Sequence, residues 1–198
     1  MPPDPALDHL AGALRPVRDR PGAPRWVGRD AQHVTLAFFG DVPDAQVPRL
    51  TGALGGVVAG GAVHLAVHLR LAGAGTFPER GDPRVLWVGV DGEVEALAGL
   101  AAAVADAARD AGIPVDRRVY RPHLTVGRWA AAAAGDRRIA AALGNYAGPH
   151  FTAGEVVLLR SVHAPAPRYE TVASWGAGPD ARRGAPGETV GTHRPAPR

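Results

Sequence analysis

One pattern occurs twice in this chain. "HVTLAFFG" begins at His33, and "HLTVGRWA" begins at His123, 90 residues further on. Each reads His-x-Thr-apolar and alternates as a half-buried strand does, so residues i and i+2 share a face. His33 and Thr35 then point together with Val34 and Leu36 behind them. His123 and Thr125 do the same, backed by Leu124 and Val126.

The elements around the two strands also repeat. The first half opens with a helix on which Leu7, Leu10 and Leu14 follow helical spacing, with Asp4 as N-cap and Pro5 at the first helical position. A Pro/Gly/Arg loop over 15–30 follows. Then come a strand from His33 to Phe39, a helix to about Ala59 and a strand over Val63–Leu71. The second half reads strand (Arg84–Val90), helix (about Glu93 to Ala111, with Gly112 as its stop), the His123 strand, an Ala-rich helix to about Leu143, and a strand over Glu155–Val162. "RYETVASW" forms a last strand. The expected fold is α+β: two pseudo-symmetric β-α-β-α-β halves, bilobal, with antiparallel sheets around a central cleft. The first half lacks an opening strand, so a short apolar strand is expected upstream of Met1. Residues 1–176 form the domain. Residues 177–198 are Gly/Pro/Arg-rich without periodicity and are expected to be disordered.

Composition narrows the chemistry. The chain has no cysteine and no lysine; all 22 basic residues are arginine. Thiol nucleophiles, cysteine-ligated zinc, a Walker lysine and an adenylated lysine are all excluded. The net charge is +3. Four arginines against two acids beyond residue 176 supply +2 of it, so the body is near neutral. Local placement says more. Arg15, Arg18, Arg20, Arg25 and Arg29 precede the first motif, and Arg117, Arg118, Arg121 and Arg128 surround the second. Such clustering suits an anionic ligand, or else solvated loops. No apolar run is long enough to span a bilayer, and "MPPDPALDHL" lacks the pattern of a secretory signal. A cytoplasmic monomer is expected.

Two imidazoles and two hydroxyls converging on one cleft can share a reaction. A neutral histidine takes a proton from water while a protonated one donates to a leaving oxygen, because imidazole titrates near neutrality. The threonine hydroxyls can hold phosphate oxygens. This chemistry requires no metal and no cofactor. Strict alternation puts Arg128 on the face opposite His123, unless a bulge at Gly127 re-aims it. Phe39 shares the face of His33 and could stack a base or lie in the core. A third match, "HFTA" at His150, follows Gly-Pro outside the repeat and reads as coincidence. His64 and His68 lie about 13 Å apart on a strand, too far to share a metal, and read as exposed. His9, His163 and His193 carry no motif.

On these residues the chain resembles the two-histidine phosphoesterase superfamily. Within it, "HVTLAFFGDV", "RVLWVGV", "RPHLTVGR" and "RYETVASW" are similar to the RNA 2',3'-cyclic phosphodiesterases, also called 2'-5' RNA ligases. The resemblance covers roughly Pro5 to Trp175. It implies hydrolysis of RNA 2',3'-cyclic phosphate ends to 2'-phosphates, with ATP-independent 2'-5' joining as the reverse. It also implies His33 as proton donor to the 3' oxygen, His123 as acceptor from water, Thr35 and Thr125 as phosphate-binding hydroxyls, and a basic residue at Arg128. The partner implied is RNA with cyclic phosphate ends. Two alternatives stand beside it: a cyclic phosphodiesterase of the same superfamily acting on a small nucleotide, and a non-catalytic module that binds RNA ends.

Overall fold

Leu7, Leu10, Leu14 and Val17 recur at helical spacing. In the computed structural model, which describes residues 1–61, 65–116, 118–130, 135–162 and 168–176, they form the buried face of α1 (Asp4–Arg18). The helix starts one residue before the predicted first position: Pro3 holds the cap, and no side chain closes it. Helices α2 (Val47–Ala59), α3 (Val94–Asp110) and α4 (Arg137–Ala142) follow. Gly112 ends α3 as predicted. At φ 76° it lets its own N–H reach the Arg109 carbonyl and the Ile113 N–H reach that of Ala108. The Asp136 carboxylate caps α4 by accepting from the Arg138 N–H. The Ala-rich stretch before it lies outside the described residues at 131–134, as do Val63, His64, Arg117, His163, His193 and the tail from 177.

Seven described strands complete the fold: β1 (Arg25–Trp26), β2 (Val67–Phe77), β3 (Val85–Gly92), β4 (His123–Arg128), β5 (Ala147–Ala153), β6 (Glu155–Val162) and β7 (Arg168–Gly176). The fold is α+β with antiparallel sheets. Five strands form one sheet in the order β1-β4-β3-β2-β5, and β6 pairs with β7 in a second.

The partition into halves differs from the repeat read in the sequence. β2, assigned to the first half, joins β3 and β4 in the larger sheet, while β6, assigned to the second, leaves it for β7. Succession decides this: only residues 78–84 separate β2 from β3, and consecutive strands tend to pair. Two strands lie beyond the reach of the pattern: β1 has only two residues, and β5 ("AGPHFTA") carries Gly-Pro, which an edge strand tolerates. β2 also runs on past the predicted end at Leu71, to Phe77. An extra residue in its ladder to β3, Gly73 at φ 64°, absorbs the irregularity.

The main correction concerns His33. The predicted strand from His33 to Phe39 is reduced to one bridge, Val34 to Leu124. The chain runs beside β4 through β1, and the Val27 N–H reaches the Val126 carbonyl. It leaves through a 3-10 turn at Arg29–Ala31, returns for the single pair at Val34, and bends away at Leu36.

Two larger cores, beside a small one of Val67, Leu69 and Leu97 against which Val34 and Leu36 pack, position the site. One combines Leu7, Leu10 and Leu14 of α1 and Ile139 of α4 with Leu71, Leu86, Val88, Leu124 and Val126 of the large sheet. The other combines Leu50 and Leu54 of α2, Leu100 and Val104 of α3, and Val156 and Leu158 of β6. Alternation then sends Trp87, Gly89, His123 and Thr125 to the face of the large sheet opposite the first core.

Candidate active site

The Val34–Leu124 bridge is antiparallel and joins the middle residues of the two motifs. Continued by one residue each way, its register sets His33 beside Thr125 and Thr35 beside His123. The motifs are thus related by a local two-fold through the bridge. Their apolar middles face the core and both His-Thr pairs face the other way. The two histidines are diagonal neighbours, whose Cα atoms in an antiparallel pair lie roughly 7–8 Å apart.

Each ring is held in the same manner. His33 Nδ1 lies 3.0 Å from the Ala31 carbonyl oxygen, and His123 Nδ1 lies 2.6 Å from that of Arg121. A carbonyl only accepts, so Nδ1 carries the hydrogen in both rings, and Nε2 is the nitrogen left for chemistry. Each ring also meets an aromatic edge-to-face: Tyr169 at 4.9 Å from His33 and Phe77 at 5.1 Å from His123. The hydroxyls of Thr35 and Thr125 have no hydrogen-bond partner among the described residues.

Burial pushes the His33 imidazole below its ordinary 6.5, and the positive charges of the terminal amino group, Arg128 and His123 act in the same direction, against the Ala31 hydrogen bond.

Arg128 joins this group because β4 is irregular. Trp87 pairs with Thr125, but Leu86 pairs with Gly127, so Val126 is the extra residue. Val126 and Gly127 are both buried, and Arg128 emerges exposed on the His123 side. The bulge falls one residue before the Gly127 position considered from sequence. Phe39 does not join. It packs against the cluster of α2, α3 and β6, together with Trp175. The bend at Leu36 breaks the alternation and turns Phe38, 71% exposed, outward instead. His150 and Thr152 sit on β5, three strands from β4 and so roughly 14 Å away, where Thr152 meets the His68 ring.

The sequence reading missed an aromatic floor beside His123. The Trp87 ring covers Gly75 so closely that a Cβ there would overlap it, and Trp87 and Phe77 lie 5.4 Å apart. The Arg121 guanidinium stands over both rings and pairs with Glu79. Strict alternation in "RVLWVGV" puts Trp87 on the His123 face, but the sequence pattern ends β2 before Gly75 and Phe77. Among the described residues no cluster of three or more His, Asp or Glu could hold a metal, and no helix is long and apolar enough to cross a membrane.

An α+β antiparallel fold with two His-x-Thr segments joined at one bridge has the layout of the two-histidine phosphoesterase class. Residues 2–164 match the family model of the 2'-5' RNA ligase superfamily, and the chain belongs to that superfamily. It is 39% identical over 163 residues to an RNA 2',3'-cyclic phosphodiesterase of Geobacillus stearothermophilus, a match covering 80% of this chain and 50% of that protein. It is 32% identical over 124 residues to the RNA 2',3'-cyclic phosphodiesterase of Aquifex aeolicus, covering 62% and 64%. The chain thus spans half to two thirds of these relatives' length. Among solved structures, TT0787 of Thermus thermophilus shares the fold at TM-score 0.70 and 24% identity, covering 89% of this chain and 93% of that one. E. coli LigT in its apo form does so at TM-score 0.67 and 24% identity, covering 88% and 91%.

Proposed function

We propose that this protein hydrolyses RNA 2',3'-cyclic phosphate ends to 2'-phosphates, without a metal, and that with a 5'-hydroxyl in place of water the same groups join two ends through a 2'-5' bond. The observation that carries the reading is the matched pair of rings. Both Nδ1–H groups are tied to backbone, which leaves two Nε2 atoms on one side of a single bridge. The names of the curated relatives supply the substrate class.

With the cyclic phosphate between the rings, His123 Nε2 accepts a proton from water as its oxygen bonds to phosphorus. The bond from phosphorus to O3' breaks, and His33 Nε2–H protonates that oxygen. The product keeps its phosphate on O2'. Thr35 and Thr125 hold the non-bridging oxygens, and Arg128 lends positive charge at the edge of the site. The depressed affinity of His33 for its proton belongs to the free protein; the substrate's negative charge favours the imidazolium.

The test is an RNA oligonucleotide ending in a 2',3'-cyclic phosphate, incubated with the protein and EDTA. A 2'-phosphate product is expected. Loss of activity with EDTA would remove the metal-independent mechanism. Binding without turnover would make the chain an end-binding module, and faster hydrolysis of a free cyclic nucleotide would favour a small substrate.

A further inference from the structure

Several of the described arginines are neutralised by an acid. Arg29 is held by Asp4 and Asp8, Arg70 by Asp91, Arg118 by Asp116, Arg121 by Glu79 and Arg160 by Asp44. Arg25 and Arg128 are not, and unlike the other unpaired arginines they stand opposite one another. They are paired residues across β1 and β4, so their side chains leave the same face of the sheet, and both are exposed. Neither has an ion pair or side-chain hydrogen bond to any described residue. Like charges set directly opposite in an antiparallel ladder repel, and no acid relieves this pair. An anion bound between the two guanidiniums does.

The location indicates which anion. The Val126 bulge turns Arg128 to the side of His123 and Thr125, and its charge is felt at His33. Thr125 and Arg128 pair with Trp87 and Val85, two residues apart on β3, so roughly 7 Å of strand separates them, and Arg25 lies one strand further out at the sheet edge. A cyclic phosphate held at the histidines would occupy the near end of this row. The far end suits a second phosphate on the same nucleotide.

Resting on the proposed function, we propose that Arg25, together with Arg128, binds the 5'-phosphate of the terminal nucleotide, the one that links it to the rest of the RNA. The site therefore favours chain ends over free nucleosides that bear only a cyclic phosphate.

Equilibrium binding tests this without relying on turnover. Dissociation constants for a nucleoside 3'-phosphate and a nucleoside 3',5'-bisphosphate are measured by calorimetry on the full chain at low salt. The wild type is expected to prefer the bisphosphate by about tenfold, Arg25→Gln to lose that preference to within about twofold, and Arg25→Lys to retain most of it. A wild type that binds both equally, or an Arg25→Gln that keeps the preference or weakens both ligands alike, overturns the subsite. Activity on the matching 2',3'-cyclic compounds is then compared. If neither is hydrolysed while the binding preference follows Arg25, the catalytic reading fails and the subsite stands.

Discussion

The two His-x-Thr segments carry the same residues on unlike supports. His123 begins a six-residue strand paired with β3 along its length, and Leu124 and Val126 behind it are fully buried. His33 belongs to no strand; Val34 makes one bridge and is half-buried. Yet both rings end with Nδ1 on the carbonyl two residues back and Nε2 open. The geometry of each ring is therefore set within three residues, while the placement of one motif against the other is set by the bridge. The β4 side is the frame, and the His33 side is docked onto it.

The largest expected effect tests whether the segments act as one site. His33→Ala and His123→Ala should each lower the rate at least ~100-fold despite their different supports. A loss below about tenfold in both retires the acid–base pair, and a large loss in only one breaks the symmetry. Next in size is the asymmetry of support. Leu124→Ala removes a side chain with no exposure from the first core and should cost about 2–5 kcal/mol in chemical denaturation. Val34→Ala should cost about 1 kcal/mol or less. Equal costs would show that the His33 side is built into the frame.

This asymmetry also marks how far the sequence could be read. The His-Thr pairs, α2, α3, β6 and β7 were legible because each depends on its own periodicity or on one local stop such as Gly112. Strand exchange between the halves was not, since pairing of β2 with β3 follows from the short 78–84 connection between them and not from either strand's pattern. The His33 segment shows the same limit from the other side. Its alternation is a strand's, but a ladder needs a neighbour, and the described residues offer one only at Leu124. Arg128 depended on a bulge that alternation cannot foresee, and Phe39 on a bend that removed it from the face where alternation puts it.

The smallest effect concerns the protons. Burial, with the charges of the amino group, Arg128 and His123, lowers His33 below 6.5, so in the free protein its imidazolium is lost as pH rises through a value under 6.5. If His33 is the donor, kcat/KM falls along that limb. The limb of kcat lies at higher pH, because the bound phosphate anion favours the charged ring. Stability carries the opposite sign. The unfolded chain binds the proton more readily, so stability is full above 6.5 and declines as pH falls from there toward the depressed value. An NMR titration of the His33 ring follows the proton directly, and Arg128→Gln should raise its midpoint by less than burial lowers it. A midpoint above 6.5 in the unliganded protein would show that burial does not set the state of this ring. His33 would then be protonated without substrate, and the docked segment would need no anion to become the acid.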